Sequence, residues 1–195
     1  LISLTVLLDS EMVDYGLQFN RIWILDIVGG IIIGVIFQVI STIALIYVGD
    51  GTILNSWTTG VFNNYLNIGL ALVTTALGYL VVAIGEDLLF RGVLIRELTD
   101  TFRYFDVTRK RSTVIAIVVS SLLFSLVHFG SGAEGLSTSV VILQAFVGGI
   151  YFGVAYALTN SLATPIGIHL STNIWTTVVF GQPESGYPAV FILER

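Results

Sequence analysis

Residues 85–92 read Gly-Glu-Asp-Leu-Leu-Phe-Arg-Gly and set three charged side chains, Glu86, Asp87 and Arg91, inside an apolar run. A charge at the centre of a bilayer costs roughly 2.5–3.5 kcal/mol on insertion scales, so three of them within a turn and a half of helix call for a cause. Asp87 and Arg91 stand four residues apart with the acid first, the favourable order for an ion pair on a helix. Glu86 is turned about 100° from Asp87, so Arg91 cannot serve both acids equally. What remains is one neutralised pair and one spare carboxylate, and a carboxylate aimed at a polar cavity suits general base or acid work. The bland alternative is that all three charges tie helices together or line a pore.

The chain has two histidines, and both fall in apolar stretches. His128 follows Phe124 by four residues, so ring and imidazole share a helix face. His169 and Asn173 are spaced in the same way. Each of these polar groups, taken alone, reads as a satisfied buried side chain. Together Glu86, His128, His169 and Asn173 come from three different spans, and each is costly to bury unless it meets a partner. The least costly arrangement converges on one hydrated cavity. That set also matches what hydrolysis needs: a carboxylate and an imidazole to activate water, and a second imidazole and an amide to hold an oxyanion.

The elements that must position these groups are membrane spans. Of 195 residues 55% are hydrophobic and 11% charged, against about 25% charged in soluble domains, and the mean hydropathy is +0.92. The expected fold is all-α, a polytopic transmembrane helix bundle with about five full spans plus partial segments at the ends, forming a single integral-membrane domain over residues 1–195. The spans are placed at 22–48, 65–98, 113–129, 136–158 and 162–180. Between them lie a connection at 9–21, a Gly/Asn-rich loop at 49–64, a turn at 130–135 and a short turn at 159–161. The tail from Gly181 starts another segment or lies at the interface.

The stretch 65–98 exceeds the roughly 20 residues that cross a bilayer, so it must tilt, kink or protrude. Gly148, Gly149, Gly153 and Ala155 form a small-residue packing face. Residues 99–112 make the one clearly basic loop, which the positive-inside rule places in the cytoplasm; the expected location is the plasma membrane. Counted from the loops, His169 lies shallower than Glu86 and His128, which predicts a break or tilt of the fifth span near Pro165 and Gly167. The start Leu1–Leu8 lacks the basic region of a signal peptide and reads as the end of a hydrophobic segment, with further spans expected before it.

With no cysteine, disulfides, thiolate metal sites and a cysteine nucleophile are out. A formal charge of −5 excludes nucleic acid as a partner.

In order and spacing, Glu86-Asp87-x-x-x-Arg91, Phe124-x-x-x-His128 and His169-x-x-x-Asn173 resemble the three motifs of the CAAX protease and bacteriocin-processing (CPBP) family, also called the abortive-infection family. These are intramembrane glutamic endopeptidases whose pattern is Glu-Glu-x-x-x-Arg, Phe-x-x-x-His and His-x-x-x-Asn. The resemblance covers residues from about 13 to 180. It implies hydrolysis of a peptide bond without metal, cofactor or covalent intermediate. Glu86 with His128 would activate water, His169 and Asn173 would hold the oxyanion, and Asp87, Arg91 and Phe124 would support them. The implied partners are the lipid bilayer and a membrane-embedded or lipidated protein or peptide substrate, a prenylated C-terminus in the best-understood members. One departure stands out: the second acid is Asp87, where the pattern has glutamate. If that acid only supports helix geometry, activity survives the shorter side chain.

Three other readings fit parts of the sequence. His128, His169 and Glu86 could supply a zinc peptidase, although no His-Glu-x-x-His occurs. A catalytically silent scaffold or immunity protein would keep the fold alone. A proton-coupled transporter would use the buried Glu and His as a relay, against which no inverted repeat is visible.

Overall fold

The computed structural model describes residues 12–48, 52–54, 65–129, 138–181 and 189–194. After a 3-10 turn at Met12–Tyr15 come α1 (Arg21–Val48), β1 (Thr52–Leu54) and α2 (Tyr65–Asp87). Then follow a π-helical segment at Leu88–Ile95, α3 (Arg96–Tyr104), α4 (Arg109–Val127), α5 (Thr138–Thr159) and α6 (Ala163–Ile174). A π turn at Trp175–Val179, β2 (Phe180–Gly181) and β3 (Phe191–Glu194) complete the order. Expectations for residues 1–11, 49–51, 55–64, 130–137 and 182–188 lie outside the described residues.

Among the described residues, four helical stretches are long and apolar enough to cross a membrane: Arg21–Ala44, Ile68–Tyr104, Arg109–Val127 and Thr138–Thr159. Their outward faces carry exposed Ile, Leu and Val, such as Ile24, Ile32 and Ile40 on α1 and Leu77 and Val81 on α2. In water such continuous apolar faces would drive association. In a bilayer they meet acyl chains, so the protein is an integral membrane protein.

The expected fifth span at 162–180 is helical from Ala163 to Val179 but is not wound uniformly. α6 has 12 residues, and the chain then loosens into the π turn. It is continuous through Pro165 and Gly167, so the predicted irregularity comes ten residues later. Pro165 sits in the first turn, where its missing N–H has no intrahelical partner to lose. Residues 99–112 are also less of a loop than expected. α3 runs to Tyr104 and α4 begins at Arg109, leaving a turn in which Asp106 takes a left-handed φ of 59°. His128 is likewise not within a helix but follows the last residue of α4, at φ −88° and ψ 6°.

The chain gathers into two compact units, one from residues up to Asp26 together with Ile84–Pro165, the other from Ile27–Ala83 with Ile166–Arg195. In the first, α4 packs on α5 and on the π segment through small residues. A Cβ on Gly149 would stand 2.9 Å from the Ser121 Cβ, and one on Gly153 would stand 3.0 Å from Ile117 Cγ2. Two glycines of the expected small-residue face therefore let the backbones approach. The α4 face that meets these neighbours is lined with buried Ser112, Ser120, Ser121 and Ser125. Gly16, at φ +91°, turns the entering chain back, and its carbonyl accepts from Trp23 Nε1 at 2.9 Å and from the Leu162 amide at 3.1 Å.

In the second unit α6 lies against residues 27–48 of α1. Gly34 faces Ile168 and Ser171, and a Cβ on Gly167 would run into the Ile27 carbonyl oxygen and within 2.9 Å of the Ile31 amide. Because those obstacles are backbone, Gly167→Ala is expected to cost about 1–3 kcal/mol, the usual scale of overpacking. Gly29→Ala, on the same helix pair but facing open space, should be neutral or stabilising, since alanine favours helix. Unfolding of the two variants in detergent micelles checks the contrast.

The π turn is tied to both long helices: Trp175 Nε1 donates to Thr42 Oγ1 at 3.2 Å, and Tyr79 and Thr177 hydroxyls share a 2.7 Å bond. A small sheet of order β1-β3-β2 closes this unit, β3 antiparallel to β1 and parallel to β2. The predominantly helical fold expected from the sequence stands, with that sheet as an addition.

Candidate active site

The apolar run that holds Glu86 and Asp87 is α-helical up to Asp87 and then widens into the π segment Leu88–Ile95. In π geometry hydrogen bonds close from i to i+5, and such stretches recur at functional sites. Here it begins directly after the two acids and contains Arg91.

Arg91 and Asp87 are buried, 1% and 0% exposed, and pair at 3.0 Å between Nη1 and Oδ1. The i,i+4 pair read from the sequence is therefore present. Glu86 is half-buried, and its charge acts on Arg91 less strongly than that of Asp87.

The guanidinium of Arg91 is enclosed by rings, 4.2 Å from the Phe124 centroid, 5.0 Å from Phe152 and 5.9 Å from Phe90. A desolvated cation over aromatic faces gains about 2 kcal/mol per good contact, which helps to offset its burial. Phe124 in turn carries His128, with ring centroids 4.6 Å apart. The phenylalanine of the Phe-x-x-x-His motif is thus the spacer between a buried cation and an imidazole.

His128 Nδ1 lies 2.7 Å from the Phe124 carbonyl oxygen. A carbonyl only accepts, so Nδ1 carries the proton and, in the neutral ring, Nε2 holds the lone pair. That tautomer leaves Nε2 as the basic nitrogen. Its position just past the end of α4 turns the ring back along its own helix, and the side chain is half-buried.

Asp87, Arg91, Phe124 and His128 therefore form one line of contacts in the first unit, with Glu86 next in sequence to its first member. His169 and Asn173 belong to the second unit, on α6. His169 is 5% exposed, and Asn173, one turn on, is half-buried. Around them Ser171 and Thr172 turn their hydroxyls to the Ile168 carbonyl, at 2.8 and 2.9 Å.

Three contributors were not foreseen. Phe152 completes the ring cage, Phe90 flanks it, and Ser120 Oγ donates to the Phe90 carbonyl at 2.6 Å, bracing the π segment on α4. Spacing held a signal for Ser120, four residues before Phe124 and so on the same face. Phe152 adjoins Gly153 on the small-residue face of α5, but nothing in its spacing marks it.

The family model described as type II CAAX prenyl endopeptidase Rce1-like matches residues 67–175, more than half of the chain, and this stretch holds all three motifs. The chain belongs to this family. No curated protein and no solved structure matches it. As a member of the Rce1-like family, it is assigned to the CAAX-type membrane proteases, in agreement with the resemblance carried by Glu86, His128 and His169. Asp87, where the family pattern has glutamate, still reaches Arg91.

Proposed function

We propose that this protein is an intramembrane glutamic endopeptidase that trims the C-terminus of a lipidated, CAAX-type protein or peptide. The observation that carries the reading is the unbroken line from Asp87 through Arg91 and Phe124 to His128, which fixes an imidazole from the same motif set as the half-buried carboxylate of Glu86. Glu86 takes a proton from water as the oxygen attacks the scissile carbonyl, and His128 holds that water through Nε2. The carbonyl oxygen becomes an oxyanion that accepts hydrogen bonds from His169 and the Asn173 amide. Collapse breaks the C–N bond, and the proton held by Glu86 passes to the departing amine. The products are a new carboxylate and a free amino terminus, with one water consumed. The Asp87–Arg91 pair keeps its charges balanced throughout and takes no proton.

With the basic stretch 99–112 taken as cytoplasmic by the positive-inside rule, a substrate anchored by its own lipid would approach from that face.

The test is purified protein in liposomes with a farnesylated peptide and its unmodified counterpart, in ¹⁸O-labelled water. Mass spectrometry should find the last three residues released from the farnesylated peptide and one heavy oxygen in the new carboxylate. Strong chelators should leave the rate unchanged; loss of activity that returns with added zinc would replace this mechanism with a metallopeptidase. Asn173→Ala is expected to lower kcat by about 10²–10³-fold with little change in KM, the usual consequence of losing one oxyanion donor. A selective rise in KM instead would move Asn173 to substrate binding.

A further inference from the structure

The first turn of α4 carries Arg109, Lys110 and Arg111 in succession, three of the eight basic residues in a chain of net charge −5. Asp100 pairs with Arg103 at 3.8 Å, whereas among the described residues neither Arg109 nor Lys110 makes an ion pair. Where α4 passes the last turns of α5, the two helices leave a groove of about 520 Å³. Arg109 and Lys110 stand at one end of it, and Val114, Ile117, Val154 and Leu158 form its walls.

Polarity changes along the groove in one direction. From Arg109 to Ile117 the helix descends about 12 Å, from exposed cations to purely apolar wall. Beside the cationic end, Tyr104 and Phe105 are 84% and 68% exposed, as expected of aromatic side chains at the headgroup level of a bilayer. The groove therefore starts where lipid phosphates lie and runs down among acyl chains.

We infer that the α4–α5 groove binds a bilayer phospholipid with an anionic headgroup, its phosphate between Arg109 and Lys110 and an acyl chain along Val114, Ile117, Val154 and Leu158. Charge complementarity selects the headgroup: two uncompensated cations attract a net negative lipid and repel the ammonium of a zwitterionic one. The apolar walls select a lipid over a free anion. This site stands apart from the line of contacts through Arg91 and does not depend on the protease reading.

The test uses the full chain purified in detergent with equal amounts of phosphatidylglycerol and phosphatidylcholine of identical acyl chains, with retained lipid counted by native mass spectrometry. Phosphatidylglycerol should be retained about thirtyfold over phosphatidylcholine, the scale expected for two headgroup cations. The double variant Arg109→Gln/Lys110→Gln should bring the two lipids to parity, while Arg103→Gln, at the same membrane level but off the groove, should change nothing. Val154→Trp, which fills the apolar wall and keeps both cations, should reduce retention of phosphatidylglycerol and so tests the site even if the double variant folds poorly. Equal retention by the unaltered protein, indifference to Val154→Trp, or displacement of the lipid by millimolar inorganic phosphate would each overturn the assignment, the last by making it a free-anion site.

Discussion

Glu86→Gln is expected to slow peptide cleavage by about 10²–10⁴-fold while the protein stays folded. Glutamine keeps the shape and the hydrogen-bonding reach of the side chain but cannot accept the proton of an attacking water. Helix propensity changes little between the two residues, and the 3.0 Å ion pair with Arg91 is made by Asp87. The loss should therefore fall on kcat, with the melting temperature of the purified protein unmoved. Single-turnover cleavage of the farnesylated peptide measures it. Full activity in Glu86→Gln would remove the general base from the mechanism, and His128 would then have to act alone. The neighbouring acid behaves differently: Asp87→Asn should show its main effect in stability, because that carboxylate already serves Arg91.

Arg91→Met carries the largest expected effect on folding, about 3–5 kcal/mol, because it leaves the buried Asp87 carboxylate without its counter-charge. The ring cage adds to the argument. Phe124 and Phe152 close on the guanidinium from 4.2 and 5.0 Å, and a thioether placed there keeps favourable sulfur–ring contacts, so the loss comes from charge and not from packing. The double variant Asp87→Leu/Arg91→Met removes both charges and should recover most of the stability, since buried pairs replaced by apolar side chains are often neutral or better. Unfolding by denaturing detergent in mixed micelles supplies the free energies. If the single variant costs under about 1 kcal/mol, the pair is solvated and the cage is not closed. The double variant should also lose cleavage through His128, whose ring rests on Phe124 at 4.6 Å; a stable but inactive protein would separate positioning from folding.

How much of this could be read from the residues follows from the range of each interaction. Asp87 and Arg91 pair across four residues, and the long apolar runs of α1, α2, α4 and α5 announce themselves by composition, so both were legible. The Phe124–His128 pair was legible as a shared face. Its position was not, because a helix end at Val127 depends on where the backbone turns, and the apolar pattern runs on to Phe129. The sheet was hidden because Thr52–Leu54 and Phe191–Glu194 are a few residues each and meet from distant parts of the chain. Likewise, 162–180 reads as an apolar span, but hydropathy cannot tell α from π winding, and the bonds from Trp175 and Thr177 in the loosened turn go to Thr42 and Tyr79 in other helices. Phe152 entered the cage through tertiary packing alone.

The wide winding at Leu88–Ile95 has a consequence for how this region tolerates change in length. Each i-to-i+5 closure encloses one residue more than an α-helical closure, so the segment holds slack equal to a single amino acid. A one-residue deletion there can be absorbed by tightening into ordinary α-helix, with no break in the rod. Everything beyond it would stay near its present orientation, because the tightening takes up the missing residue, but the Phe90 carbonyl inside the segment would leave the Ser120 hydroxyl that now meets it. Length variants among kindred chains should then be tolerated as folds and silenced as catalysts at this one stretch.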